Sequence, residues 1–514
     1  MTEYSYNLVN APWISCTDLE GNKINLGFKD VFLRAHELRS IQHQNPLTEA
    51  ALLRVLLAIV HRSINGPRNG QEWKRLYQAG KFDDRISQYL EKWHNRFNLF
   101  SRDTPFYQTP GLMVVNGSNA SVQVPQPITS IMLGVSSGNR KTLFNHTVDK
   151  MTVKISPSEA ANVLTTAQMF SLGGLNKKTT NIFGYQFRFE NSPMVEGIFV
   201  ILAGFNLFQT LMLNLLIYAD NEPIPNTAKD CPIWERNDIG KAVTDRKKAM
   251  PPKGYLDFLT CKSRHIRLVP EEDNNGVYVE KIHIAQGEIF PTTMANPAFM
   301  RKKSKKGTWY HPQLDIDRLV WRDSVALFTL DENIASRPKS FIQVQAMHSL
   351  IGLPMRYICA IYAIANKDAN PLARRREKLN IPLSLLSDRR VVAYLEKGIG
   401  ISEKGAMALG AAAYLFMSVY LPENTRPKEI RAQVNATGVQ EMFWDGMDAH
   451  FNQFLIDLDE PENALEIWKA AIRQTARESL NICVNERYRN STRTFKAWAV
   501  ASSQLNTRLA NLSV

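Results

Sequence analysis

Two acidic pairs are the first residues whose types and spacing could do chemistry. Asp83-Asp84 and Asp315-x-Asp317 could offer carboxylate oxygens to a divalent cation. Isolated pairs of this kind are usually surface features, and no histidine or cysteine cluster stands beside either. The ten histidines are dispersed. The five cysteines, Cys16, Cys231, Cys261, Cys359 and Cys483, form no CxxC pair, so neither a zinc site nor a disulfide framework is indicated. G-x-x-x-x-G-K-[ST], H-E-x-x-H, G-x-S-x-G and EF-hand patterns are all missing. The residues therefore predict no catalytic centre, no metal site and no cofactor.

Basic residues suggest a different kind of chemistry. Lysine and arginine number 62 against 49 aspartate and glutamate, a formal charge of +13. Such an excess suits a polyanion, most often nucleic acid. Arg301-Lys302-Lys303-Ser304-Lys305-Lys306-Gly307 concentrates it, and Thr308-Trp309-Tyr310 follows. A basic run ending in aromatics fits a phosphate-contacting loop; a solvated loop is the alternative. A second run, from Ser136 to His146, includes Arg140 and Lys141 for phosphates and Phe144 for stacking or wedging. Its alternative is a surface loop with one apolar anchor.

The third feature is a glycine turn, Ser171-Leu172-Gly173-Gly174-Leu175-Asn176, followed by Lys177 and Lys178. Glycines let a backbone approach a partner closely. Behind the turn lie a strand-like segment, Tyr185 to Glu190, and an uncharged apolar run, Gly197 to Tyr218. That run is long enough to span a bilayer. Asn206, Gln209, Thr210 and Asn214 recur at helical spacing, however, and no Lys or Arg anchor adjoins it. A buried helix backing the turn is the expectation.

The elements that must position these features divide in two. Hydrophobic residues are 44% and charged residues 22%, a globular balance for 514 residues. The N-terminus lacks a signal-peptide pattern, and a cytoplasmic, reducing compartment is expected. Helices are predicted from Asn45, around Trp73 and Tyr77, and from Asp83 to Phe97. Strands are predicted at Gly254–Thr260, His265–Val269 and Ser340–Met347. From about Leu383 the pattern turns helical, with apolar faces such as Phe443, Met447, Phe451 and Phe454, then Trp468, Ile472, Ala476 and Leu480. The fold class is α+β: a mixed α/β N-terminal domain over 1–380, then a C-terminal four-helix bundle over 381–514.

Several segments, in order, resemble a known family. They include Asn7-Leu8 with Pro12-Trp13-Ile14, Pro105-Phe106-Tyr107-Gln108, and the Gly173-Gly174 turn. Pro232-Ile233-Trp234, Ser263-Arg264-His265-Ile266-Arg267-Leu268 and Trp321-Arg322-Asp323 continue the series. The ordered set is similar to CasA, the large subunit of the type I-E CRISPR surveillance complex called Cascade. The resemblance implies a non-catalytic subunit whose partners are guide RNA, other Cascade subunits, target double-stranded DNA and a helicase-nuclease. It implies minor-groove reading of the protospacer-adjacent motif (PAM), duplex opening and R-loop formation in antiviral defence.

Residue by residue, the family's glycine loop falls on Ser171, Leu172, Gly173, Gly174, Leu175 and Asn176. Its lysine finger falls among Lys302, Lys303, Lys305 and Lys306, with Lys302 or Lys303 the best register. Its wedge falls on Lys367, Asp368, Ala369 and Asn370. There the chain departs from the family, with Asp368 at the glutamine position. A carboxylate facing the minor groove is repelled by phosphates, so Lys367 or Asn370 is the alternative wedge. The loop that meets guide RNA and neighbouring subunits falls on Phe144, Asn145 and His146. A nucleic-acid-processing enzyme with an unrecognised metal site is the competing reading, and a membrane-associated scaffold using 197–218 is a third.

Overall fold

The computed structural model describes residues 4–512 except 118, 134–152, 220, 317, 332, 334, 368–369 and 489–490. Two compact units divide the chain. One comprises Met1–Arg318, Asp331–Leu353 and Ile358–Lys378; the other comprises Leu319–Leu330, Pro354–Tyr357 and Leu379–Val514.

The first unit is built around the helix Pro46–Ile64. Asn45 caps it by accepting from the Leu47 amide at 3.1 Å, and Pro46 supplies a preset φ in the first turn. Its residues from Leu47 to His61 are all buried, so it is a core helix rather than a surface one. The helix Pro157–Phe170 packs beside it. Small antiparallel sheets surround the pair. One long ladder joins Arg264–Asp273 to Gly276–Gln286.

The apolar run at 197–218 is not one helix. It forms a strand, Phe199–Ala203, then a short helix, Leu207–Asn214. The polar residues that mimic a helical face instead tie this corner together. Asn206 caps the helix, Thr210 and Gln209 accept from the Gly204 and Phe205 amides at 3.0 and 2.9 Å, and Asn214 bonds both backbone groups of Leu202. No helix among the described residues is long and apolar enough to cross a membrane.

Two expected strands are helices. Gly254–Thr260 contains the helix Tyr255–Leu259, because the distant Asp230 carboxylate accepts from the Leu256 and Asp257 amides at 3.0 and 2.8 Å. Ser340–Met347 lies within the helix Lys339–Ile351. Phe341, Val344 and Met347 are buried at a spacing of three, and Gly352 ends the helix at φ +63°. His265–Val269 is a strand, within Arg264–Asp273.

The second unit is the four-helix bundle of Arg389–Tyr420, Val439–Asp457, Pro461–Arg487 and Thr492–Ala510, with an additional short helix, Pro427–Ala436. Its centre is aromatic. Trp468 stacks on Phe454 at 4.7 Å and donates from Nε1 to the Gly398 carbonyl at 2.9 Å. Trp321 stacks on Phe451 at 4.2 Å. Gly398 is required there, since a Cβ would lie 2.4 Å from the Phe454 ring.

Among the described residues of the first unit, three histidines are buried as neutral imidazoles. Burial pushes His61 and His265 down to about 3 and His283 to about 4. The His283 Nδ1 also accepts from the Val114 amide at 2.9 Å. Unfolded histidine titrates near 6.5. Below that pH the unfolded chain gains protons that the folded chain refuses, so stability is lost as pH falls from about 6.5 toward 4. The melting temperature is expected to drop by several degrees between pH 7.5 and 5, before ordinary carboxylates protonate. A flat profile over that interval would contradict the burial of these rings.

Candidate nucleic-acid interface

The glycine turn is held from behind by one buried arginine. Arg264 is 1% exposed, and its guanidinium donates to the carbonyls of Ser171 (3.4 Å), Leu172 (3.0 Å) and Glu190 (2.6 Å). It also lies over the Phe189 ring at 5.0 Å. Gln168 fixes the Arg264 backbone through both its amide groups, at 2.9 and 3.0 Å. Gln286 accepts from the Glu190 amide at 2.8 Å, and the Ser192 and Ser263 hydroxyls meet at 2.7 Å. A satisfied buried polar network of this kind rigidifies the loop it supports.

On this base the turn becomes a strand, Gly174–Thr180, paired with Gly184–Phe189. Gly173 donates its amide to Asn191 Oδ1 at 2.7 Å. A Cβ at Gly173 would stand 3.0 Å from the Phe189 carbonyl oxygen and 3.1 Å from Asn191 Oδ1. Gly174 has φ +145°, a conformation that side chains disfavour. The strand register shifts between Leu175 and Lys178, where Lys177 takes φ +50°. Leu175, Tyr185 and Phe187 are exposed on this hairpin.

A cleft of about 400 Å³ opens beside the turn, lined by Gly173, Gly174, Leu175, Arg188, Arg246 and Asn366 among others. Arg188 and Arg246 both pair with the buried Glu190, and Arg246 reaches Glu196 as well, at 2.7 Å. The cleft wall thus holds two arginines, each fixed by ion pairs to Glu190 or Glu196.

Asn366, the residue before the expected wedge segment, lines the same cleft. It belongs to the strand Arg356–Lys367, whose segment Ile358–Tyr362 pairs with Ala203–Phe199. Beyond Tyr362 this strand outruns that partner by five residues to reach Lys367. The next strand begins at Asn370 and is its hydrogen-bonded neighbour. Asp368 and Ala369 lie outside the described residues, as do Phe144, Asn145 and His146. The following arginines tie the unit together. Arg375 donates to the Arg318 and Ile316 carbonyls at 3.0 Å, and Arg376 pairs with the buried Glu49 at 2.6 Å.

The basic run is a hairpin that follows a short segment bonded to the strand Phe199–Ala203. Val200 donates to the Ala298 carbonyl at 3.0 Å, and Phe199 bridges Phe299. Arg301–Lys303 then pairs with Trp309–Tyr310 across a turn closed by Ser304 and Thr308. Gly307 supplies φ +82° there. Arg301 and Lys303 lie over the Trp309 ring at 5.0 and 5.8 Å. Lys303, Lys305 and Lys306 are exposed; Lys302 is half-buried. Strand alternation therefore separates the two candidate finger lysines, and Lys303 is the more accessible.

One residue of the acidic pairs has a structural role. Asp83 caps a helix by accepting from the Arg85 amide and pairs with the Arg85 side chain. Asp317 lies outside the described residues. Among the described residues no three His, Cys, Asp or Glu side chains cluster to hold a metal ion.

Comparison with known proteins gives a consistent result. The model of the family CRISPR-associated protein Cse1 matches residues 7–479. The CRISPR-associated protein CasA/Cse1 of Thermus thermophilus is 28% identical over 487 residues, 92% of this chain and 91% of that protein. The crystal structure of Cse1 from Acidimicrobium ferrooxidans superposes with a TM-score of 0.83 at 22% identity, over 100% of this chain and 99% of that one. A chain from a CRISPR RNA-guided surveillance complex shares the fold at TM-score 0.70 and 18% identity, over 98% and 99% of the two chains.

Proposed function

The chain belongs to the CRISPR-associated protein Cse1 family, and from that premise we propose that it is the non-catalytic large subunit of a type I-E Cascade complex. In this reading it docks on a guide-RNA complex, reads the PAM through the minor groove and helps open the duplex. It then recruits a separate helicase-nuclease. The N-terminal domain over 1–380 does the reading, and the helical domain over 381–514 completes the subunit.

One observation carries this proposal. The glycine turn and Asn366, the residue before the expected wedge, line a single cleft, while the segment leading into the basic hairpin bonds to the strand that pairs with Arg356–Lys367. Arg188 and Arg246 line that cleft and supply its positive groups. A minor groove approached by glycine backbone and lysine would be read degenerately, which suits tolerance of several motifs. The separation of the first base pair costs a few kcal/mol of unstacking, offset when the guide pairs with the opened strand.

The direct test is reconstitution. A guide-RNA complex assembled with this chain should bind PAM-bearing duplex and form an R-loop; the complex lacking it should not. Equal binding by both would remove the proposal.

The basic hairpin yields a separate expectation. Neutralising Lys303, Lys305 and Lys306 together should weaken duplex binding and flatten its salt dependence. Each lost phosphate contact removes about 0.9 from the log–log slope. Lys302, half-buried in the strand, should change the slope less. An unaltered slope in the triple variant would make the hairpin a solvated loop.

A further inference from the structure

Arg54 is a buried cation without a counterion. It sits on the core helix Pro46–Ile64, is 1% exposed, and pairs with no carboxylate among the described residues. Its guanidinium donates from Nη2 to the Phe258 carbonyl at 2.6 Å and lies over the Phe258 ring at 4.7 Å. Nε has no hydrogen-bond partner. The titratable groups around it are Tyr255, Tyr107 and Cys261, and burial pushes all three up, so they stay neutral. A guanidinium cannot shed its proton to escape the desolvation cost. Buried charges are otherwise paired.

Arg54 lines a cavity of about 20 Å³ together with Leu57, Tyr255, Phe258, Asn296 and Ser340. Among the described residues no acidic side chain lines it. The size admits one particle comparable to a water molecule or a small ion. Water would satisfy an N–H but would bring no charge. Tyr255, Asn296 and Ser340 add donors in a mostly apolar wall. We propose that this cavity binds one monovalent anion of halide size as the counterion of Arg54. The site is separate from the cleft beside the glycine turn and does not depend on the DNA-reading role.

The test uses the full chain purified without halide in sodium gluconate. Chloride then replaces gluconate at constant ionic strength, and the melting temperature is followed. The parent should show a saturable rise of about 2 °C. Arg54→Met, of similar length and without charge, should show none. A parent indifferent to chloride, or a variant that responds equally, overturns the site. Should Arg54→Met fail to fold, crystals of the parent grown in bromide decide. Anomalous density in the cavity within hydrogen-bond reach of the guanidinium supports the site; water alone overturns it.

Discussion

Gly174→Asp is expected to lower the affinity of the assembled complex for PAM-bearing duplex by about tenfold to a hundredfold, with the chain still folded. Two effects add. The residue has φ +145°, which any side chain strains. It also lines the cleft, so the new carboxylate would face phosphates at close range. Like charges about 4 Å apart cost between ~1 and ~4 kcal/mol for effective dielectric constants from water to a protein surface. Each 1.4 kcal/mol is about a tenfold change in affinity. Gly173→Asp should act in the same direction, because its Cβ would crowd the Phe189 carbonyl and displace Asn191. Folding is monitored by the melting temperature, and binding by titration of PAM and non-PAM duplexes. A Gly174→Asp complex that binds PAM duplex like the parent would exclude this turn as the reader.

Replacing Lys367, Asp368 and Asn370 by alanine is expected to slow R-loop formation on a fully paired target by about a hundredfold. The same variant should behave like the parent on a target already opened beside the PAM. The strand carrying Lys367 runs beyond its pairing with Phe199–Ala203 and contributes Asn366 to the cleft of the glycine turn, where in this reading a duplex would first be separated. Unstacking one step costs a few kcal/mol, and loss of the group that compensates it appears in the opening rate. A base-analogue fluorescence signal on the two substrates decides. Unchanged rates on the paired target rule out a wedge at this position; equal losses on both substrates indicate general DNA contact or a damaged fold.

Two features of the candidate site carry local signals. A pair of glycines and a run of lysines before Trp309 each stand out within a few residues. The arginine that makes the glycine turn rigid was not legible as such. Arg264 is about ninety residues away, inside a strand, and its role appears only when it meets the Ser171 and Leu172 carbonyls. Arg246-Lys247-Lys248 is a visible basic triplet, yet only folding places Arg246 in the cleft wall.

The sequence by itself determined the α+β class, the helical C-terminal bundle and the family. Helical periodicity is a property of successive residues, and the family is carried by ordered motifs across the chain. Tertiary structure decided the elements whose local preference was overruled from a distance. Asp230 turns Gly254–Thr260 into a helix by capping two of its amides. Asn214 and Thr210 break the apolar run at 197–218 by bonding back to Leu202 and Gly204, because buried backbone groups at the corner need partners. The cleft itself is likewise tertiary. A glycine turn near 173 and a strand end near 366 share no local signal, and only the packing of the sheets brings them to one surface.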